Sequence, residues 1–190
     1  MNFKIPTFET DKIKVNQQNN AVEITISGKI AKDKFATLVI WFVLWTIAGI
    51  AVISQLATIT EESTRTFVWV WLAFWAYFFY RTGKAVLWRK QGAEKIVINH
   101  EYFSFYNDVP LGAKGWKVNT AQIRNFQNLT IDRNNLVASY FESFWVVGGE
   151  TVGFYADEKL YSVGKQLPKN DVEKLKNFIE FIVSKHQGLK

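Results

Sequence analysis

Residues 35–56 read FATLVIWFVLWTIAGIAVISQL, a run of twenty-two without one charged side chain. As a helix this run is ~33 Å long at ~1.5 Å per residue, enough to cross a hydrocarbon layer ~30 Å thick. A helix apolar on every face for this length is rarely the core helix of a soluble protein, so a membrane-spanning helix is expected. The mean hydropathy of the whole chain, −0.04, conceals the run because the apolar residues crowd between positions 35 and 88.

A second run, FVWVWLAFWAYFFY at 67–80, has fourteen residues before Arg81 and by itself reaches only ~21 Å. Extending it through Arg81 and Lys84 to Trp88 restores a full span, with both basic stems close enough to the end to snorkel to headgroups. The expectation is therefore a hairpin of two transmembrane helices, 35–56 and 67–88. Lys29, Lys32 and Lys34 precede it, Arg89 and Lys90 follow it, and the connecting loop has Arg65 beside Glu61 and Glu62. By the positive-inside rule both termini are cytoplasmic, and the first residues lack the apolar core of a signal peptide.

The net charge of +6 raises the question of nucleic acid. Residues 81–95 hold five basic residues against one acidic, whereas residues 96–190 hold eleven against ten. The excess flanks the apolar runs, and no basic face of the kind a nucleic-acid footprint needs is evident beyond them. No nucleic-acid partner is expected.

The flanking segments read as strands. Residues 12–15 and 21–27 surround the turn-forming NQQNN, and Val22, Ile24 and Ile26 alternate with Glu23, Thr25 and Ser27. Further strands are predicted at 95–98, 102–106, 114–118, 126–131, 150–155 and 159–163, with a less regular segment at 136–147. A final helix is predicted with Asn170 as N-cap, Glu173 completing a capping box, and Val172, Leu175, Ile179 and Ile182 as its apolar stripe. The predicted fold class is a membrane α-hairpin plus α+β: two transmembrane helices, then a pleckstrin-homology-like β-barrel of about seven strands capped by a C-terminal helix. The domains are a cytoplasmic N-terminal segment with a short β-hairpin (1–34), the transmembrane hairpin (35–90) and the barrel (91–190).

The positions Glu94-x-Ile96-x-Ile98, Ile123-x-x-Phe126, Gly153-Phe154, Tyr161-Ser162-Val163-Gly164 and Leu167 carry a resemblance. The stretch 35–183 resembles a broad bacterial group with a two-helix membrane hairpin and a C-terminal pleckstrin-homology-like domain. Some members, and more distantly a chloroplast photosystem assembly factor, are described as assembly proteins. The resemblance implies an inner-membrane location and a role as an assembly factor or accessory subunit. It rests on apolar and glycine positions and carries no catalytic motif.

Chemistry is thinly represented. With no cysteine in the chain, disulfides, thiolate metal sites and cysteine nucleophiles are excluded. The histidines are His100 and His186, neither in an apolar run, so the usual axial haem ligands are missing there. His100-Glu101 lies in a predicted turn, and His186 at the solvated end of the last helix. Asp132-Arg133-Asn134-Asn135 lacks the spaced carboxylates of a calcium loop, and Gly148-Gly149-Glu150 is too short to cradle a phosphate. No enzyme activity, cofactor or metal is expected. The membrane-interface set is Arg81, Lys84, Arg89 and Lys90, suited to lipid phosphate. The candidate partner contacts are Trp69, Trp71, Trp75 and Trp145. The expected function is a non-enzymatic, membrane-anchored protein-recognition module whose partners are other integral membrane proteins, with anionic lipid headgroups as a further contact. The alternative is a membrane-bound lipid- or small-ligand-binding protein.

Overall fold

Alternation of β-branched and polar residues builds the first sheet. In strand β2 (Ala21–Ser27), Val22, Ile24 and Ile26 are buried, and β1 (Ile13–Gln18) pairs with it antiparallel. Asn20, with φ 67°, occupies the left-handed region at the turn between them, which asparagine tolerates. The computed structural model describes residues 8–18, 20–109, 114–129, 143 and 145–188. The predicted segment 136–147 falls mostly outside the described residues, as do Asp132 to Asn135 and Phe144.

Two helices follow β2: α1 (Lys32–Gln55) and α2 (Glu62–Gln91). The chain then returns to the sheet it left. Strand β3 (Ala93–Ile98) pairs with β2 from Val22↔Ile98 to Ser27↔Ala93, and β4 (Tyr102–Asp108) and β5 (Lys114–Asn119) extend the meander. The helix pair is thus inserted between two neighbouring strands of one five-stranded sheet. The Gly28 N–H donates to the Gly92 carbonyl at 2.9 Å and closes the neck of the insertion.

A second antiparallel sheet holds β6 (Arg124–Asn128), β7 (Glu150–Ala156) and β8 (Lys159–Lys165). Asp157 and Glu158 both have positive φ in the two-residue β7–β8 turn, the twist that hairpins favour. The sheets meet through aromatic rings: Phe154 lies 4.9 Å from Phe103 and 5.8 Å from Trp116, and Trp116 lies 4.7 Å from Tyr161, centroid to centroid. Helix α3 (Lys169–His186) covers one end of this core with Leu175, Phe178, Ile179, Ile182 and Val183.

The structure corrects the expected fold class at two points. Among the described residues no pleckstrin-homology-like barrel forms, because the five-stranded and three-stranded sheets remain separate and do not close on each other. The second transmembrane helix is also overturned. By length and composition, the one described helix suited to crossing a membrane is Lys32–Thr58, near the N-terminus. The segment from Arg81 to Trp88, needed to lengthen the second apolar run, is used for packing instead: Thr82, Ala85 and Trp88 are buried, and so is Arg89 just beyond it. The fourteen residues left over are too few to span. A smaller correction concerns α3, which is capped by Pro168 with no side-chain cap, so Asn170 lies inside the helix.

Leu175 is fully buried in the shared core. Leu175→Ala should cost ~2–5 kcal/mol, the range for large-to-small core changes. Exposed Lys174, one residue away, should shift stability by under ~0.5 kcal/mol when changed to alanine. Thermal unfolding of the full chain in detergent measures both; equal midpoints would place α3 outside the core.

Candidate ligand cavity at the helix–sheet junction

Trp88 and Arg89 lie in the last turn of α2, where the helix meets the body, and neither faces solvent. The Arg89 guanidinium donates to the Gly28 carbonyl and the Val146 carbonyl, each at 3.3 Å, and to Gln166 Oε1. Gln166 in turn donates through Nε2 to the carbonyls of Ser143 at 2.9 Å and Val146 at 3.3 Å. These bonds tie α2 to β8 and to the segment before β7. Arg89 therefore holds the junction together and is turned away from any headgroup.

Beside this tie lies Glu94, fully buried on β3. Its Oε2 accepts the N–H groups of Gly164 at 2.8 Å and Lys165 at 3.0 Å, and Oε1 lies 3.5 Å from Lys165 Nζ. Burial pushes the Glu94 carboxyl above the usual carboxylate range. The Lys165 ammonium and the two backbone donors oppose that rise, and Glu150 adds to it. Lys165 also donates to Asn107 Oδ1 at 2.8 Å and sits 5.3 Å from the Trp88 ring centroid. This lysine bridges both sheets and the end of α2.

Outside Lys165 is a cavity of about 560 Å³. Phe79, Leu87 and Trp88 of α2 form an apolar wall, facing Val109 and Val147 of the body. Lys84, Lys114 and Lys165 also line it, with Glu150 as the acidic residue among the described lining. Such a space suits a ligand with an anionic end and an apolar end.

The predicted interface residues do not form one cluster. Lys84 reaches the cavity, whereas Arg81 turns back along α2 and donates to Tyr77 Oη at 2.8 Å. Lys90 is exposed elsewhere and Arg89 is buried. The predicted partner tryptophans also divide. Trp69 is 54% exposed. Trp75 packs on Gly49 and exchanges indole-to-carbonyl bonds with Trp45 at 2.8 and 3.3 Å, and Trp71 lies beside Trp45. Trp145 meets Trp41 edge-on at 5.9 Å. Three of the four therefore serve internal packing, and Trp69 faces outward.

Sequence reasoning missed Lys114 and Lys165 because strands from different sheets bring them together. Glu94 was legible in principle: it shares its strand face with Ile96 and Ile98, both buried. At the opposite end of the body, His100 Nδ1 lies 3.0 Å from the His186 carbonyl oxygen, and His186 is half-buried where solvent was expected. Among the described residues no group of three or more His, Cys, Asp or Glu is placed to hold a metal ion.

The fold and cavity together define a class: an antiparallel two-sheet body, an apolar helix pair inserted between adjacent strands, and a lysine-lined cavity at their junction. No family model, curated protein or solved structure matches this chain.

Proposed function

We propose that this chain is a non-enzymatic recognition module, anchored in a membrane by α1, that binds other integral membrane proteins as an assembly factor or accessory subunit. The anchor reading rests on Lys32–Thr58, long and apolar enough to cross a membrane. The observation that carries the recognition reading is the outward face of α2. Phe67, Trp69, Val70, Phe74, Tyr77, Phe78 and Tyr80 are exposed there, from 42% to 69%. Seven large apolar side chains on a helix too short in its apolar run to span form a patch that asks for a protein surface. Aromatic residues are also the side chains that dominate interface energies.

The sheet body holds both flanks of the helix pair, next to Lys29, Lys32, Lys34 and Lys90. By the same positive-inside logic this body lies on the cytoplasmic side, from which α1 enters the membrane and to which α2 returns the chain. The resemblance in sequence favours a bacterial inner membrane. Full-length tagged protein, cross-linked in cells and extracted in mild detergent, tests the reading. Replacing Trp69, Phe74 and Phe78 with alanine should reduce capture of a stoichiometric membrane protein at least ~10-fold, as loss of aromatic anchors does. Resistance of the chain to alkaline extraction should not change. Undiminished capture by this variant, or recovery of lipid with no protein, would overturn the reading.

A further inference from the structure

The junction cavity has unbalanced chemistry. Lys84 and Lys114 are exposed and have no ion-pair partner among the described residues. Lys165 is held by Glu94 and Asn107, with Glu150 Oε1 3.8 Å away. Three lysines therefore line a space whose described acidic lining is Glu150, alongside the apolar Phe79, Leu87 and Trp88. Lys165 sits against the Trp88 ring at the edge of that wall, and an anion that brings its own apolar portion meets both the lysines and the wall. The wall also leads outward. Tyr80, 66% exposed, lines the cavity and gives its apolar wall an exposed outer face. The space is smaller than a two-chain lipid, so chains entering with a headgroup must leave along that face.

We propose that the cavity binds an anionic phospholipid, its phosphate held by Lys84 and Lys114 beside Lys165, and the upper part of its chains lying along Phe79, Tyr80 and Leu87. The site goes beyond the protein partner proposed above and depends only on α1 as the anchor. Lipid is favoured over soluble phosphate because the cavity opens beside the apolar helix pair, where lipid is concentrated.

Native mass spectrometry of the full chain, extracted in mild detergent and mixed with phosphatidylglycerol or phosphatidylcholine, tests the site. Phosphatidylglycerol should be retained at least tenfold better than phosphatidylcholine. The Lys84→Gln/Lys114→Gln double variant should lose about thirtyfold, the effect of two basic residues at an anionic surface. Lys90→Gln, outside the cavity, should retain the lipid as the parent does. Val147→Trp keeps every charge but fills the space, and should also release it. Equal retention of the two lipids, or full retention by the double variant, would overturn the proposal. Displacement by glycerol 3-phosphate at the same concentration would overturn the lipid as occupant, because the phosphate alone would then suffice. Alkaline extraction of the same membranes reads the anchor separately, so a failed anchor and an absent lipid site give different results.

Discussion

Glu94→Ala is expected to destabilise the chain by ~3–5 kcal/mol, the cost of removing one partner from a buried ion pair. The change leaves the N–H groups of Gly164 and Lys165 without their acceptor and deprives the Lys165 ammonium of its buried counter-charge. Lys165 also orders Asn107 and the cavity edge, so the loss should spread to the junction. Glu94→Gln keeps an oxygen for the two backbone donors and should cost less. It also exposes the titration of the carboxyl. Burial raises the folded-state value above the ordinary 4.5, so between 4.5 and that raised value the folded chain keeps a proton that the unfolded chain releases. The stability contributed by that proton is fully present below 4.5 and is lost as pH rises through the folded value. Thermal midpoints of the parent and Glu94→Gln, compared from acid to neutral pH, should therefore shift against the parent as pH rises. A difference moving the other way would show that the Lys165 pairing outweighs burial.

Gly49→Ala should disrupt the α1–α2 contact, at a cost of at least ~3 kcal/mol, the upper end for overpacking. A Cβ at Gly49 would lie 2.0 Å from Cε2 of Trp75. That ring has little freedom to retreat, because its Nε1 donates to the Trp45 carbonyl at 2.8 Å and its face stacks on Phe79 at 5.1 Å. The helices must separate, with loss of the reciprocal Trp45 bond to the Trp75 carbonyl. Gly83, on the partner helix, provides the contrast. Its Cβ would stand 3.4 Å from Phe42, a contact that a small shift accommodates. Gly83→Ala should be neutral or stabilising by up to ~1 kcal/mol, since alanine is the better helix former. Near-UV circular dichroism of the tryptophans and the thermal midpoint in detergent measure both variants. Similar behaviour of the two would mean that α1 and α2 do not pack through Gly49.

Much of the body was legible as local pattern. The alternation of Val22, Ile24 and Ile26 with polar neighbours predicts which face of β2 is buried, and the structure buries those three. The predicted strands at 102–106, 114–118, 150–155 and 159–163 lie within β4, β5, β7 and β8. The C-terminal stripe places Leu175, Ile179 and Ile182 in the core. Period-two and helical spacings are properties of neighbouring residues, so a linear reading finds them. Arg89 was misread for the complementary reason. A basic residue just after an apolar run has the pattern of a headgroup anchor, and only the carbonyls of Gly28 and Val146, far away in sequence, show that it points inward.

The sequence by itself determined the apolar helix at Lys32–Thr58, the absence of cysteine chemistry and the buried faces of β2 and α3, because each depends on residue type and short spacing. Tertiary structure alone decided that β2 pairs with β3 across the inserted helices, that the two sheets stay open, and that the end of α2 is taken up by the body. It also decided that Lys84, Lys114 and Lys165 share one cavity. An alternating pattern specifies which side of a strand is buried but not the strand beside it. Partner choice is settled by packing over the whole core, where Phe103, Trp116, Phe154 and Tyr161 join the sheets.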